Sequence, residues 1–311
     1  MVRPQQRDLE TRPSRAVWIV WAMFAAVVVA IVVTYSRLSP SVLYHVVGRG
    51  FVDGGLSRAV VYLNFPLGLA AMYMLLGLAD RMSRRLRIAS VAAAVLWLPV
   101  FSSRVVSESF LDARWGNALP ALGVAVALVV TLRTPPRVPL RVRGDGVRWV
   151  VGGLAVVLAL PWIAAELGFD FLSVPLLGQV FQTQELRRQP GVPALHPAVH
   201  YGDHHGLEAT LLLITALLVS RLHGAVRGRK LHRAFGVATG LLIAYSLMNI
   251  ANDAWLEQVV KRGWTAWTIP NVLEPRLNWG WLVIVAGGGA IWAGCFGPKS
   301  TQAGVDSPVR A

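Results

Sequence analysis

The chain has 311 residues, of which 55% are hydrophobic and only 15% charged. A soluble domain carries about 25% charged residues, so these proportions exclude an ordinary soluble fold, and a single cysteine, Cys295, excludes internal disulfides and cysteine-based metal clusters. The formal net charge of +14 does not point to nucleic acid. The basic residues lie in short clusters between long apolar runs, which is the pattern of a membrane topology signal.

Eight runs read as transmembrane helices, each needing roughly 20 apolar residues to cross about 30 Å of hydrocarbon. They cover about 16–35, 58–79, 88–106, 116–132, 149–167, 205–222, 234–252 and 279–296. The third has the shortest apolar stretch, Ile88–Phe101, with Pro99 inside it. The first is read as an uncleaved span, because SRLSPS after it offers no small-x-small cleavage site. The expected fold is all-α: an integral membrane helical bundle over 16–296, flanked by disordered cytoplasmic tails at 1–15 and 297–311.

Orientation follows from Lys and Arg. With the N-terminus inside, the two tails and the loops near 80–87, 133–148 and 221–233 hold 20 of the 30 basic residues. The positive-inside rule then puts both termini in the cytoplasm of a cell membrane. Tryptophans gather near both proposed interfaces, as in an aromatic belt. No GxxxxGK[ST] motif is present, so nucleotide-driven work is not expected. The clusters RMSRRLR (81–87) and RGRK (227–230) read as topology anchors with minor anionic-lipid contact. Gly236 and Gly240 form a GxxxG, expected to let helices approach closely.

The outer segments carry the chemistry. HPAVHYGDHHGLE (196–208) places four of the seven histidines, His196, His200, His204 and His205, within ten residues, with Asp203 and Glu208 beside them. Asp203 is expected to cap the helix that starts here. Tyr245, Asn249, Asp253 and Glu257 recur every four residues in the seventh span, forming one stripe toward the outer surface. Two or three imidazoles and a carboxylate make a first shell for one zinc or iron ion. The candidate metal ligands are His196, His200, His204 and His205. The candidate catalytic groups are Glu208, Asp253 and Asn249, with Arg104, like Arg49, able to hold an anion. Glu257 and Lys261, four apart, read as a surface ion pair, and His223 and His232 as solvated residues. The segment 253–278, rich in tryptophan, reads as a short amphipathic interfacial piece.

The spacing of His200, His204 and His205, HxxxHH, resembles one histidine box of the membrane desaturases and hydroxylases. The resemblance implies a di-iron centre built from several boxes toward the cytoplasm. This chain has one box, on the outer side in the topology above, so that activity is not carried over. The expected function is a metal-dependent hydrolase or transferase acting on a lipid-like substrate, with the lipid bilayer as its surroundings. A non-enzymatic subunit docking a protein partner through its outer loops is the first alternative. A transporter is the second, disfavoured because the inner halves of the spans lack ionisable residues.

Overall fold

The computed structural model describes residues 11–102, 105, 110–139, 141–169, 186–189, 192–197, 199–273 and 278–297. Helices dominate. Helix α1 (Ala16–Arg37) is an unbroken Val/Ala/Ile-rich run of 22 residues, about 33 Å long, and stops ahead of Pro40. Helix α2 (Gly50–Arg81) is longer, and π turns at Gly50–Leu56 and Leu63–Leu67 interrupt its regular winding. The second π turn contains Pro66, which has no N–H to give and crowds the preceding turn. Helix α3 (Arg84–Trp97) is followed by α4 (Trp115–Leu132). Helices α5 (Asp145–Leu158) and α6 (Leu160–Glu166) follow each other with a bend of 53°, next to Pro161. Helices α7 (His205–Ala225), α8 (Arg229–Val260) and α9 (Trp279–Phe296) complete the bundle.

Among the described residues, six helices are long and apolar enough to cross a membrane, and seven if the bent pair counts as one span. The expected count of eight is not reached among them. The one not among them is 88–106, where helix α3, of 14 residues, passes into a 3-10 turn at Leu98–Phe101 and residues 103–104 and 106–109 lie outside the described ones. The segment 261–273 runs in turns and irregular chain. Two short antiparallel ribbons, Thr11–Pro13 with Arg137–Pro139 and Leu186–Gln189 with Val192–Pro197, are the strands in the described chain.

Many large apolar side chains face outward, among them Trp149, Val150, Leu154 and Leu158 on α5. Such a surface is costly in water but matched to lipid. Helix α7 lies among α1, α2, α5, α6 and α8, and α8 packs closely on α9. A β-carbon at Gly240 would lie 2.3 Å from the Gly288 carbonyl oxygen, so the GxxxG serves backbone approach.

The two ends of the bundle differ. At one, Arg81 Nη2 donates to the Arg137 carbonyl, Asp80 accepts from the Arg227 and Gly228 amides, and Arg221 pairs with Asp145. The three basic loops thus meet at a common basic end. At the other, Leu43 bridges to Tyr201, Leu111 N–H donates to the His45 carbonyl, and Asp112 accepts from the Val47 and Gly48 amides. This is the histidine end.

Candidate metal centre

The centre is built on the chain entering α7. Residue His204 is extended, with φ −124° and ψ 135°, and α7 starts at the next residue with no side-chain cap from its own strand of chain. The cap expected from Asp203 is absent. The carboxylate that accepts the free Gly206 N–H, at 2.7 Å, is Asp253 of α8. Asp203 instead forms an ion pair with Arg58 of α2, both side chains being buried. The Asp203 N–H also donates to the Tyr35 hydroxyl, and Gly202 N–H to the Ala165 carbonyl. Residues 202–203 are therefore fastened to α1, α2 and the end of α6, which fixes where the adjacent His204 can point.

Opposite them, α8 ends in a π turn, Leu256–Val260. Glu257 on that turn is 0% exposed, and Lys261 beyond it is 7% exposed. The surface ion pair expected for these two is thus buried, with Lys261 Nζ 3.9 Å from Glu257 Oε1. Trp162 of α6 donates its indole N–H to Glu257 Oε2 at 2.7 Å. That leaves Oε1 facing His204, whose Nδ1 lies 2.7 Å away. The distance suits a hydrogen bond, but the alignment does not, and Oε1 has no properly directed donor.

The imidazoles have defined tautomers. His204 Nε2 lies 2.9 Å from the His200 carbonyl, and His200 Nδ1 lies 2.9 Å from the Tyr201 carbonyl. A carbonyl only accepts, so each of these nitrogens carries the hydrogen. The basic nitrogens are then His204 Nδ1 and His200 Nε2. A main-chain carbonyl behind each ring is the usual support for a metal-ligating histidine. One ligand atom from each of His200, His204 and Glu257 lies within 4.8 Å of the others, and all three residues are buried. The rings of Tyr44, His200 and His204 form a stack, with centroids 4.9 and 4.1 Å apart. Burial alone would push the His204 imidazole down. The Glu257 carboxylate beside it overrides that and raises its pKa to about 9.

The other candidates fall in different places. His205 Nε2 lies 2.8 Å from Asn252 Oδ1 and 3.5 Å from Asp253 Oδ1, so it ties α7 to α8 and does not join the three ligands. Asp253 contributes the cap and lies 3.9 Å from His204 Nδ1. Asn249 is buried and donates to the Tyr245 carbonyl on its own helix. Glu208 lies within electrostatic reach of Asp203, Arg58 and Glu166 and is not among the three converging ligands. Arg49 and Asp53 are exposed. His223 is not simply solvated: its ring packs on Phe235, Phe296 and His232. The backbone of His196 lies on the strand Val192–Pro197, while its side chain and the whole of Arg104 lie outside the described residues.

Two groups central to this arrangement carry weak signals in the sequence. Arg58 stands at the first position of the expected span 58–79. Trp162 reads as part of an aromatic belt. Compared with protein-family models, curated proteins and solved structures, the chain matches none.

Proposed function

We propose that the chain is a membrane enzyme whose His200, His204 and Glu257 hold a single zinc or iron ion and that it carries out hydrolysis or group transfer on a lipid-like substrate. The supporting observation is that one ligand atom from each of His200, His204 and Glu257 lies within 4.8 Å of the others, with His204 Nδ1 2.7 Å from a Glu257 oxygen that has no aligned donor. Three such ligands and an open position are the composition of a catalytic zinc site. A divalent ion there would lower the pKa of a bound water toward neutrality and polarise a substrate carbonyl or phosphoryl oxygen. The protein's part is orientation. The carbonyls of His200 and Tyr201 set the rings, Trp162 sets Glu257, and Asp253 fixes the start of α7. By the positive-inside rule the basic end is cytoplasmic, so the centre faces the opposite side. Exposed apolar residues at that end, Val47, Phe51, Val52, Trp264 and Trp267, suit an amphipathic substrate.

The test is metal content in protein purified without a histidine tag. Stoichiometric zinc or iron, lost in His204→Ala and Glu257→Gln variants that keep their helical content, supports the reading. A metal-free preparation that takes up neither ion on dialysis overturns it.

A second reading is favoured by the ring stack and the 2.7 Å contact. Here His204 is an imidazolium paired directly with Glu257, and the centre is an acid–base dyad without metal. The same experiment separates the two.

A further inference from the structure

A second polar cluster lies behind the histidines, deeper between the helices. Glu166 at the end of α6 is 2% exposed, and neither of its carboxylate oxygens has a hydrogen-bond partner. Asp203 Oδ2 is taken by Arg58, but Asp203 Oδ1 has no partner. The Tyr62 hydroxyl is fully buried and unpartnered although Asp203, Glu208, Glu166 and Arg58 all lie within electrostatic reach of it. Two residues on, in the π turn of α2, Asn64 is 0% exposed with its amide oxygen and nitrogen both unpartnered. Leaving a buried polar group unsatisfied costs about 1–3 kcal/mol, more if it is charged. So many on adjoining helices would exceed what a fold of ordinary stability tolerates.

Charge points the same way. Glu166, Asp203 and Glu208 surround one guanidinium, that of Arg58. A buried carboxyl with no hydrogen-bond partner, as at Glu166, is either left as a costly isolated charge or neutralised by a proton, and a cation can take that proton's place. Among the described residues these three carboxylates do not converge as tightly as His200, His204 and Glu257 do. That spacing disfavours a multiply charged ion clasped by several carboxylates. It suits a singly charged ion held by one or two carboxylates and neutral oxygens.

We propose that Glu166, Asp203 Oδ1 and the Tyr62 hydroxyl form a binding site for a monovalent hard cation, sodium being the probe. Such an ion takes oxygen ligands only, and it satisfies the unpartnered acceptors while replacing the proton of a buried carboxyl. The site braces the loop bearing His204, because Asp203 belongs to both. It stands whichever reading of the histidine centre holds, since neither a metal at Glu257 nor an imidazolium at His204 gives the Glu166 oxygens a hydrogen-bond partner.

The experiment follows thermal unfolding of the full chain in detergent, stripped of divalent metals by chelation, in sodium chloride against choline chloride at equal ionic strength. A saturable rise in Tm of a few degrees in sodium is expected, and it should vanish in Glu166→Gln. Coincident curves in the two salts overturn the site, as does a sodium response that survives in Glu166→Gln. Should that variant not fold, equilibrium dialysis of the wild-type chain with labelled sodium decides the matter, and binding no greater than in excess unlabelled sodium overturns it. Metal content at the histidine centre is measured separately, so failure of one site is distinguishable from failure of the other.

Discussion

Gly206 is where α7 passes closest to Trp162, and the contact allows a prediction worked from distances. A β-carbon at position 206 would lie 2.4, 2.5 and 2.6 Å from the Cζ2, Cη2 and Cε2 atoms of the indole. Carbon atoms in good contact are about 3.5–4.0 Å apart, so in Gly206→Ala the ring must retreat by about 1 Å. Trp162 is 2% exposed and has no space to move into without disturbing its neighbours. Its N–H donates to Glu257 Oε2 at 2.7 Å, and a shift of that size takes the bond past the useful limit of about 3.2 Å. Overpacking costs about 1–3 kcal/mol, and a lost bond to a buried charged acceptor about 1.5–3 kcal/mol. The variant should therefore be destabilised by roughly 3–5 kcal/mol. Unfolding in mixed detergent and dodecyl sulfate micelles measures this, and a double-mutant cycle locates it. Trp162→Phe removes the ring atoms that meet the new β-carbon, so the double variant should cost clearly less than the sum of the singles. A Gly206→Ala protein within about 0.5 kcal/mol of wild type, or a strictly additive cycle, would refute the link between this glycine, the tryptophan and Glu257.

Two further outcomes are expected. The His204 pKa is raised from its ordinary 6.5 to about 9 in the folded chain, so in metal-stripped protein its contribution is fully present below about pH 6.5 and is lost as pH rises through 9. The loss should be about 3 kcal/mol in wild type and absent in His204→Ala, and a flat wild-type profile over that window contradicts the pairing with Glu257. Replacing Arg58 by Met leaves the Asp203 carboxylate buried without its partner, at a cost of about 3–5 kcal/mol. Arg58→Met combined with Asp203→Leu should recover most of that in the same unfolding assay, whereas equal losses in single and double variants would mean the pair is not coupled.

Long apolar runs made most of the helices legible, because in hydrocarbon every backbone group must be satisfied within its own segment and only a helix of sufficient length does so. The same argument bears on 88–106. Hydropathy averages composition and does not register that α-helical winding gives way after Trp97 to a 3-10 turn, Leu98–Phe101, containing Pro99. The stripe from Tyr245 to Glu257 was visible at a period of four, since that spacing survives folding. What the last carboxylate meets was not visible. The pairing of Glu257 with Lys261 assumes water around the end of α8, but Trp162, about 95 residues away in sequence, covers it.

The exchange of caps is the more general case. Local rules assign the free N–H groups of α7 to Asp203, the nearest suitable side chain. A helix end in a bundle is open to carboxylates from any neighbour, and Asp253 reaches Gly206 from α8. That frees Asp203 to meet Arg58, 145 residues away in sequence. Arg58 itself could have been recognised by one signal. A charged side chain inside a span is costly unless it has a partner, and the Arg in SRAVVY sits well within the helix that begins at Gly50. Read as the boundary of a shorter helix it needed no partner. Read as lying inside a longer one it demands a buried acid, and Asp203, next to His204, is the acid that answers. The length of α2, more than any motif, therefore connects the polar interior of the bundle to the histidines at its end.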